Sequence, residues 1–197
     1  LGSNSQLKSI GDYAFSDCEL LEEAKIPSGV TSIGSYAFNN CKNIQSVTFG
    51  ENSRLKSIGS ASFEGCCLLK EIEIPSSVTS MGDYVFYGCS LLKSIIFGKN
   101  SQLESIGDSA FYGCNSLKEM DIPSSVTSIG GSAFYDCWSL ESINIPSGVS
   151  NIGICAFLGC YSLTSVKIPS SLTTIKYKTF FDCTALELVE MSSSVTS

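Results

Sequence analysis

The chain lacks histidine altogether, although its 197 residues include 10 cysteines. Without an imidazole, neither the Ser-His nor the Cys-His arrangement that normally activates a nucleophile can form. The sequence also contains no Cys-x-x-Cys pair, no Gly-x-Ser-x-Gly and no phosphate-binding Gly-x-x-x-x-Gly-Lys-[Ser/Thr]. We therefore expect no enzyme activity, no bound metal and no cofactor.

Charged residues are scarce, at 16% of the chain, and they form no long basic run. The 19 acidic residues outnumber the 12 basic ones, which gives a formal net charge of -7. This balance favours neither nucleic acid nor an anionic membrane as a partner. No apolar stretch approaches the roughly 20 residues of a membrane-spanning helix. The sequence therefore predicts no membrane insertion.

What the chain does contain is a repeat that covers nearly every residue. Equivalent phenylalanines recur at intervals of 23 or 25 residues. They are Phe15, Phe38, Phe63, Phe86, Phe111, Phe134, Phe157 and Phe180. A period in this range is typical of a solenoid, in which each unit is one coil that stacks on its neighbours. The sequence predicts a single solenoid domain over residues 1–197, with about eight coils.

Each unit contains a short alternation of apolar and polar residues that predicts a half-buried β-strand. Proline follows this strand in five units, and its missing N–H ends the ladder. Two units have Gly50 or Gly98 instead, each with two extra residues in the turn. The chain begins with a similar long turn at residues 1–7 and stops within a coil at residues 195–197. We expect a fragment of a longer array, whose uncovered ends can associate end to end.

The repeat pattern L-x-x-I-x-I-P-x-x-V-x-x-I-G-x-x-A-F-x-x-C resembles the BspA-like subclass of leucine-rich repeats over essentially the whole chain. The resemblance implies an α/β-type repeat solenoid. Its right-handed coil would have a parallel β-sheet on one face, short second strands or turns, and little regular helix. Such arrays occur in surface proteins of host-associated bacteria and some parasitic protists, where they are linked to adhesion. The resemblance thus implies a cell-surface or secreted protein that binds a host or neighbouring-cell protein.

Eight of the cysteines form one column, because each follows the repeat phenylalanine by three residues. They are Cys18, Cys41, Cys66, Cys89, Cys114, Cys137, Cys160 and Cys183. A small, weakly polar residue packed inside every coil explains this register. Side chains stacked in register point the same way, which suits disulfide geometry poorly, so we expect reduced thiols. Cys67 and Cys155 fall at variable positions, and we expect them to be more exposed and more reactive.

A first candidate binding surface lies on the outward positions of the predicted strands. The carboxylates of four acidic residues surround one outward isoleucine there. The residues are Glu71, Glu73, Ile96, Glu119 and Asp121, with Lys70, Lys93 and Lys118 along one border. An apolar centre ringed by charge favours protein recognition. The alternative is an ordinary solvated sheet face, because single exposed isoleucines are common on protein surfaces.

A second candidate surface follows the repeat phenylalanine by one residue. This position is polar in the first three coils and then becomes Tyr87, Tyr112 and Tyr135, followed by Leu158 and Phe181. A row of aromatic rings could contact a protein or stack on sugars. The alternative is that these rings pack a loop beside the sheet.

Three functions remain open from the sequence. The leading one is a non-catalytic module for protein binding or adhesion. The others are a lectin-like, glycan-binding surface and a structural spacer that holds other domains apart. A spacer predicts polar residues at every outward position of the repeat, whereas Ile96 and the tyrosines are apolar or aromatic exceptions.

Overall fold

The computed structural model describes residues 5–191, and every coil in that range consists of strands joined by turns. Eight strands follow the repeat phenylalanines. They are β2 (Glu23–Ile26), β4 (Ser46–Phe49), β6 (Glu71–Ile74), β8 (Ser94–Phe97), β10 (Glu119–Asp121), β12 (Ser142–Asn144), β14 (Ser165–Ile168) and β15 (Leu188–Met191). Seven two-residue strands precede them. They are β1 (Ser9–Ile10), β3 (Ser32–Ile33), β5 (Ser57–Ile58), β7 (Ser80–Met81), β9 (Ser105–Ile106), β11 (Ser128–Ile129) and β13 (Asn151–Ile152).

These two sets of strands confirm the expected stack of about eight coils with a strand face and short second strands. No helix occurs among residues 5–191, so the described part of the chain is a β-solenoid of the leucine-rich repeat type. The terminal residues 1–4 and 192–197, on which the expectation of a truncated array rests, lie outside the described range.

All strand pairing is parallel and joins one coil to the next. The short strands form two ladders, β1-β3-β5-β7 and β9-β11-β13, while the long strands pair two by two as β2-β4, β6-β8, β10-β12 and β14-β15. Between the fourth and fifth coils neither ladder is continuous, although β8 lies beside β10 and β7 beside β9. The two-residue extension that begins at Gly98 lies at this same step. We call this step the seam.

The core is a ladder of phenylalanine rings that crosses the seam without interruption. Consecutive rings of the eight repeat phenylalanines stack with centroids 5.1 to 5.6 Å apart. The six rings from Phe38 to Phe157 are buried. On this side of the coil the backbone also bonds from coil to coil, as in the 2.8 Å bond from Phe86 N–H to the Ala110 carbonyl. The rings and these bonds hold coils four and five together where the pairing of strands is interrupted.

The cysteine column lies inside the coil, as the repeat register predicted. The Sγ atoms of seven column cysteines, from Cys41 to Cys183, each donate a hydrogen bond of 3.1 to 3.3 Å to the carbonyl of the preceding coil's phenylalanine. Burial raises the pKa of the Cys41 and Cys183 thiols to about 11, and raises that of the five column cysteines between them further. These seven buried thiols therefore stay protonated and act as small hydrogen-bonding core groups. All ten thiols of the chain are free.

The two cysteines outside the column are only partly buried, in contrast to the buried column members. Cys155 has a left-handed backbone with φ 54°. Cys67 contacts backbone carbonyls, with its Sγ 3.3 Å from the Gly65 oxygen. Cys67 and Cys155 are more exposed than seven of the eight column cysteines, as expected. The exception is Cys18 in the first coil, which is itself exposed.

From the second coil on, the glycine that follows each short strand serves close approach between coils. At Gly59 an added Cβ would lie 2.5 Å from both the Gly34 carbonyl carbon and the Ser35 nitrogen. At Gly82 it would lie 2.6 Å from the Ser60 nitrogen. Neither glycine has a positive φ. A Cβ at this position would push two coils apart, because the atoms that it would overlap include backbone atoms of the preceding coil, which cannot rotate away.

The eighth coil shows what happens when this glycine is replaced. Lys176 occupies the glycine position, and the preceding Ile175 is 44% exposed, whereas its equivalents Ile129 and Ile152 are fully buried. No short strand forms at residues 174–175. The missing short strand agrees with the close approach measured at Gly59 and Gly82, while no described coil follows this one to cover Ile175. The bond from Cys155 N–H to the Tyr177 carbonyl, at 3.0 Å, keeps the rest of the coil stacked.

Ser62 is a polar residue in an apolar column, and its replacement should stabilise the protein. The Oγ atom of Ser62 is buried without a hydrogen-bond partner, and the same position holds alanine in coils such as the fifth and sixth, at Ala110 and Ala133. Ser62→Ala removes an unsatisfied hydroxyl, so we expect a gain of about 1 kcal/mol in the free energy of unfolding. Urea denaturation followed by circular dichroism measures it.

Thr179 provides the matched control for Ser62. It stands at the same position in the eighth coil, but its hydroxyl donates a 2.8 Å bond to the Lys176 carbonyl. Thr179→Val keeps the shape and breaks this bond, so stability should fall by about 1 kcal/mol. A loss of stability in Ser62→Ala would show that its hydroxyl has a partner.

Candidate functional site

The first candidate surface lies on the outward side of the long strands, because these strands alternate buried and exposed residues. In β6 the burial pattern is exposed, buried, exposed, buried. Ile72 and Ile74 point into the core, and Glu71 and Glu73 point outward. The same alternation continues in β8 and β10. All five predicted residues of this surface are exposed.

Strand register brings the five residues onto three neighbouring coils. Glu73 pairs with Ile96, and Glu71 pairs with Ser94. Glu119 and Asp121 lie on β10, on the far side of the seam from Ile96. The structure therefore places Ile96 between the acidic residues of β6 and those of β10, as the sequence predicted.

A groove with a volume of about 560 Å³ runs over this surface. It spans β8, β10 and β12, and Ile96, Glu119 and Asp121 line it. The groove also includes Ser94, Ser142 and Asn144, which the sequence analysis did not select. Ser94 and Ser142 pair in register with Glu71 and Glu119. We call the groove together with Glu71 and Glu73 the acidic groove.

Small side chains explain why the groove forms where it does, and their positions in the sequence could have predicted it. Ser94 and Ser142 stand on either side of Glu119 in one column, so they leave depressions next to a long side chain. The seam between β8 and β10 adds to the opening, because the long-strand ladder is interrupted there. The alternation of serine and glutamate is visible in the sequence, whereas the seam is not.

The carboxylates of the acidic groove have no cationic partner among the described residues. Ion pairs in that range join Lys25 to Glu23 at 3.0 Å, Lys42 to Glu19 at 2.7 Å and Lys118 to Glu141 at 3.2 Å. The third pair engages Lys118, one of the predicted border lysines. Lys70 and Lys93 are exposed on the border but make no ion pair with the groove acids. The groove therefore presents four carboxylates without a direct ion pair beside an exposed apolar side chain, with lysines along one border.

The second candidate surface is a stack of three tyrosines, which we call the tyrosine stack. The rings of Tyr87 and Tyr112 have centroids 4.7 Å apart, and those of Tyr112 and Tyr135 are 4.6 Å apart, with interplanar angles of 20° and 9°. Tyr84 leans on Tyr87 at 6.0 Å. All three stacked residues are partly buried. Partial burial raises the pKa of the Tyr112 phenol, as do the neighbouring Tyr135 and Tyr87.

Stacking leaves the edge and hydroxyl of the middle ring, and not its faces, available to a ligand, and it covers one face each of Tyr87 and Tyr135. Both faces of Tyr112 are covered by its two neighbours. A sugar that stacks on an aromatic residue uses the ring face, which carries the negative part of the quadrupole. The stack therefore suits a packing role, or hydrogen bonding through hydroxyls, better than sugar stacking.

A second cavity, of about 340 Å³, lies against the first coil and is apolar. Leu7, Ile10, Phe15 and Phe38 are among its lining residues. The equivalents of Phe15 in later coils are covered by a preceding coil, so this cavity belongs to the stacking surface between coils. End-to-end association through such a surface stays a prediction.

Within residues 5–191 no group of three or more histidine, cysteine, aspartate or glutamate side chains is arranged to hold a metal ion.

In the same described range there is no helix long and apolar enough to cross a membrane.

The fold and the repeat together define a class, the leucine-rich repeat solenoids. The family model for the BspA type leucine rich repeat region matches residues 8–103 and 92–197, in 6 copies. The chain belongs to the BspA-type leucine-rich repeat family. No curated protein sequence matches the chain significantly.

Solved structures of bacterial leucine-rich repeat proteins are similar to this chain. One from Bacteroides ovatus is 26% identical with a TM-score of 0.66, over 94% of this chain and 64% of that protein. One from T. pallidum is 28% identical with a TM-score of 0.75, over 83% of this chain and 76% of that one. A leucine rich cell surface protein from Faecalibacterium prausnitzii shares the fold, at 24% identity and a TM-score of 0.58, over 96% and 84% of the two chains. The chain thus spans less than two thirds of the B. ovatus protein.

Replacing Tyr112 tests whether the tyrosine stack supports the fold. Tyr112→Ser removes two stacked ring pairs, each of which contributes about 0.5–1.5 kcal/mol, so we expect the free energy of unfolding to fall by about 1–3 kcal/mol. Tyr161→Ser is the control, because Tyr161 is 43% exposed and has no ring contact in the described range. It should change stability by less than about 0.5 kcal/mol. Equal and small effects in the two variants, measured by urea denaturation, would mean that the stack is free to serve binding.

Proposed function

We propose that the chain is a non-catalytic module for protein binding or adhesion in a cell-surface or secreted protein. Residues 1–197 act as one solenoid domain that presents a partner-binding surface. The observation that carries the proposal is the acidic groove, where Ile96 is 55% exposed in a column that is polar in the other coils. An exposed apolar side chain inside a groove rimmed by charge is the anatomy of a protein interface.

Family membership supports the surface location and the absence of catalysis. BspA-type repeats serve as scaffolds for recognition, and the chain has no histidine and no nucleophile motif. Burial raises the pKa of the column thiols from Cys41 to Cys183, which keeps them protonated and makes them poor nucleophiles. The partner is a protein on a host or neighbouring cell.

Neither alternative function explains the acidic groove as well. A glycan-binding surface would draw on the tyrosine stack, but the faces of Tyr112 are covered. A structural spacer needs no groove and gains nothing from an exposed Ile96. Any glycan contact through Tyr87, Tyr112 or Tyr135 would use hydroxyl groups, and a glycan array compared between the chain and Tyr112→Phe would detect it.

Capture of cell-surface and extracellular-matrix proteins on the immobilised chain tests the proposed function. We expect a protein that binds the chain and loses at least about fivefold in affinity with Ile96→Thr, because the substitution removes apolar area from the contact. Thr48 occupies the same column two coils away, so threonine is compatible with the fold there. The captured protein is then purified and its affinity measured by surface plasmon resonance.

Thr48→Ala is the matched control for this measurement, since it alters the same column outside the acidic groove. It should leave the affinity unchanged. If no extracellular protein binds the chain directly, the chain is a spacer and the proposal is wrong. If every binding protein ignores Ile96→Thr, the acidic groove is not the binding surface.

A further inference from the structure

We propose that the acidic groove receives an extended, basic segment of the partner protein. In this arrangement an aliphatic side chain of the segment packs on Ile96, and lysine or arginine side chains on either side reach Glu73 and Asp121. The inference rests on the proposed function, because it names the chemistry of the partner at the same surface.

The apolar part of the inference rests on Ile96. Its neighbours in the outward column are Glu73 and Asp121, so the aliphatic contact is narrow and flanked by charge along the stack. Ile96 is 55% exposed, which leaves area for one further side chain. A single aliphatic residue between polar or charged ones therefore fits better than an apolar run.

The charge of the groove determines which charge its ligand must carry. Glu71, Glu73, Glu119 and Asp121 contribute four carboxylates over three coils, and none of them forms an ion pair in the described range. The exposed Lys70 and Lys93 stand at one border of the strands and make no ion pair with these acids. Lys118 is engaged by Glu141. An acidic segment, a nucleic acid or an anionic membrane would meet repulsion, whereas a cationic segment gains charge-assisted hydrogen bonds.

The size of the groove favours an extended chain over a helix. The groove crosses three strands that are about 4.8 Å apart, so it measures about 10 Å along the stack. A helix with its side chains is about 10–12 Å across, so it would cover the whole length of the groove along the stack with a single turn. The groove is shallow and open, with a volume of about 560 Å³. An extended segment is narrower and presents alternate side chains to the groove floor.

Three labelled peptides of equal length test the inference on the full chain. One alternates lysine with leucine, one alternates glutamate with leucine, and one alternates lysine with serine. Fluorescence anisotropy measures their affinities. We expect the lysine–leucine peptide to bind more tightly than the lysine–serine peptide by about fivefold or more, and we expect no binding of the glutamate–leucine peptide.

Variants that keep or change the charge separate the groove from general attraction to an acidic protein. Ile96→Thr leaves the net charge unchanged and should weaken the lysine–leucine peptide about fivefold. Asp121→Asn should weaken both lysine peptides, and added salt should reduce the difference. The controls are Thr48→Ala and Glu190→Gln, which lie in the same column outside the acidic groove. We expect both controls to bind as the unaltered chain does.

The inference is overturned if the lysine–leucine peptide fails to bind at millimolar concentration, if it binds equally well to Ile96→Thr, or if the glutamate–leucine peptide binds as tightly. In each case, a captured protein that still depends on Ile96 would preserve the proposed function and assign the groove to a partner of different chemistry. If no protein is captured at all, the inference and the proposed function fall together.

Discussion

The close approach of consecutive coils at one glycine per repeat is the constraint on which the rest of the structure depends. At Gly59 and Gly82 the preceding coil lies so near that an added Cβ would overlap backbone atoms. This approach aligns the carbonyls and N–H groups that bond from coil to coil, such as the 2.8 Å bond from Gly59 N–H to the Ile33 carbonyl. It also fixes the spacing at which the phenylalanine rings stack and at which the column thiols reach the preceding carbonyls. Where Lys176 replaces the glycine, the short strand is lost while the other contacts persist.

A regular stack turns each repeat position into a column, so function must reside in departures from the repeat. The inward columns are nearly uniform, because Phe, Cys and Ile fill the same volume in every coil. The outward columns vary freely, and the strongest departure is Ile96, next to the seam where both ladders pause. The tyrosine stack is also a departure, but its rings pack on one another. We therefore propose the acidic groove as the recognition site and expect the tyrosine stack to support the fold.

Much of this arrangement could be predicted from the sequence, because a repeat of 23 or 25 residues restricts the chain to stacked coils. The inward side of Phe86 and Cys89 follows from the repeat register, and the outward side of Glu73 and Ile96 follows from strand alternation. The seam could not be predicted, because the similar extension after Gly50 interrupts only the long-strand ladder. The covering of both faces of Tyr112 could not be predicted either, because residue spacing does not indicate ring orientation. The role of Gly59 could not be predicted, because the sequence cannot distinguish a glycine needed for its φ from one needed for space.

A pair of glycine variants tests the central constraint most directly. Gly59→Ala places a methyl group against two backbone atoms at 2.5 Å. Gly88→Ala is the comparison, since Gly88 has open space around it and only a positive φ of 69°. We expect Gly88→Ala to lower the free energy of unfolding by about 1–2 kcal/mol, the usual cost of a left-handed alanine. Gly59→Ala should lower it by about 3 kcal/mol or more, because the coils must separate. Urea denaturation that found Gly59→Ala no more costly than Gly88→Ala would contradict the account.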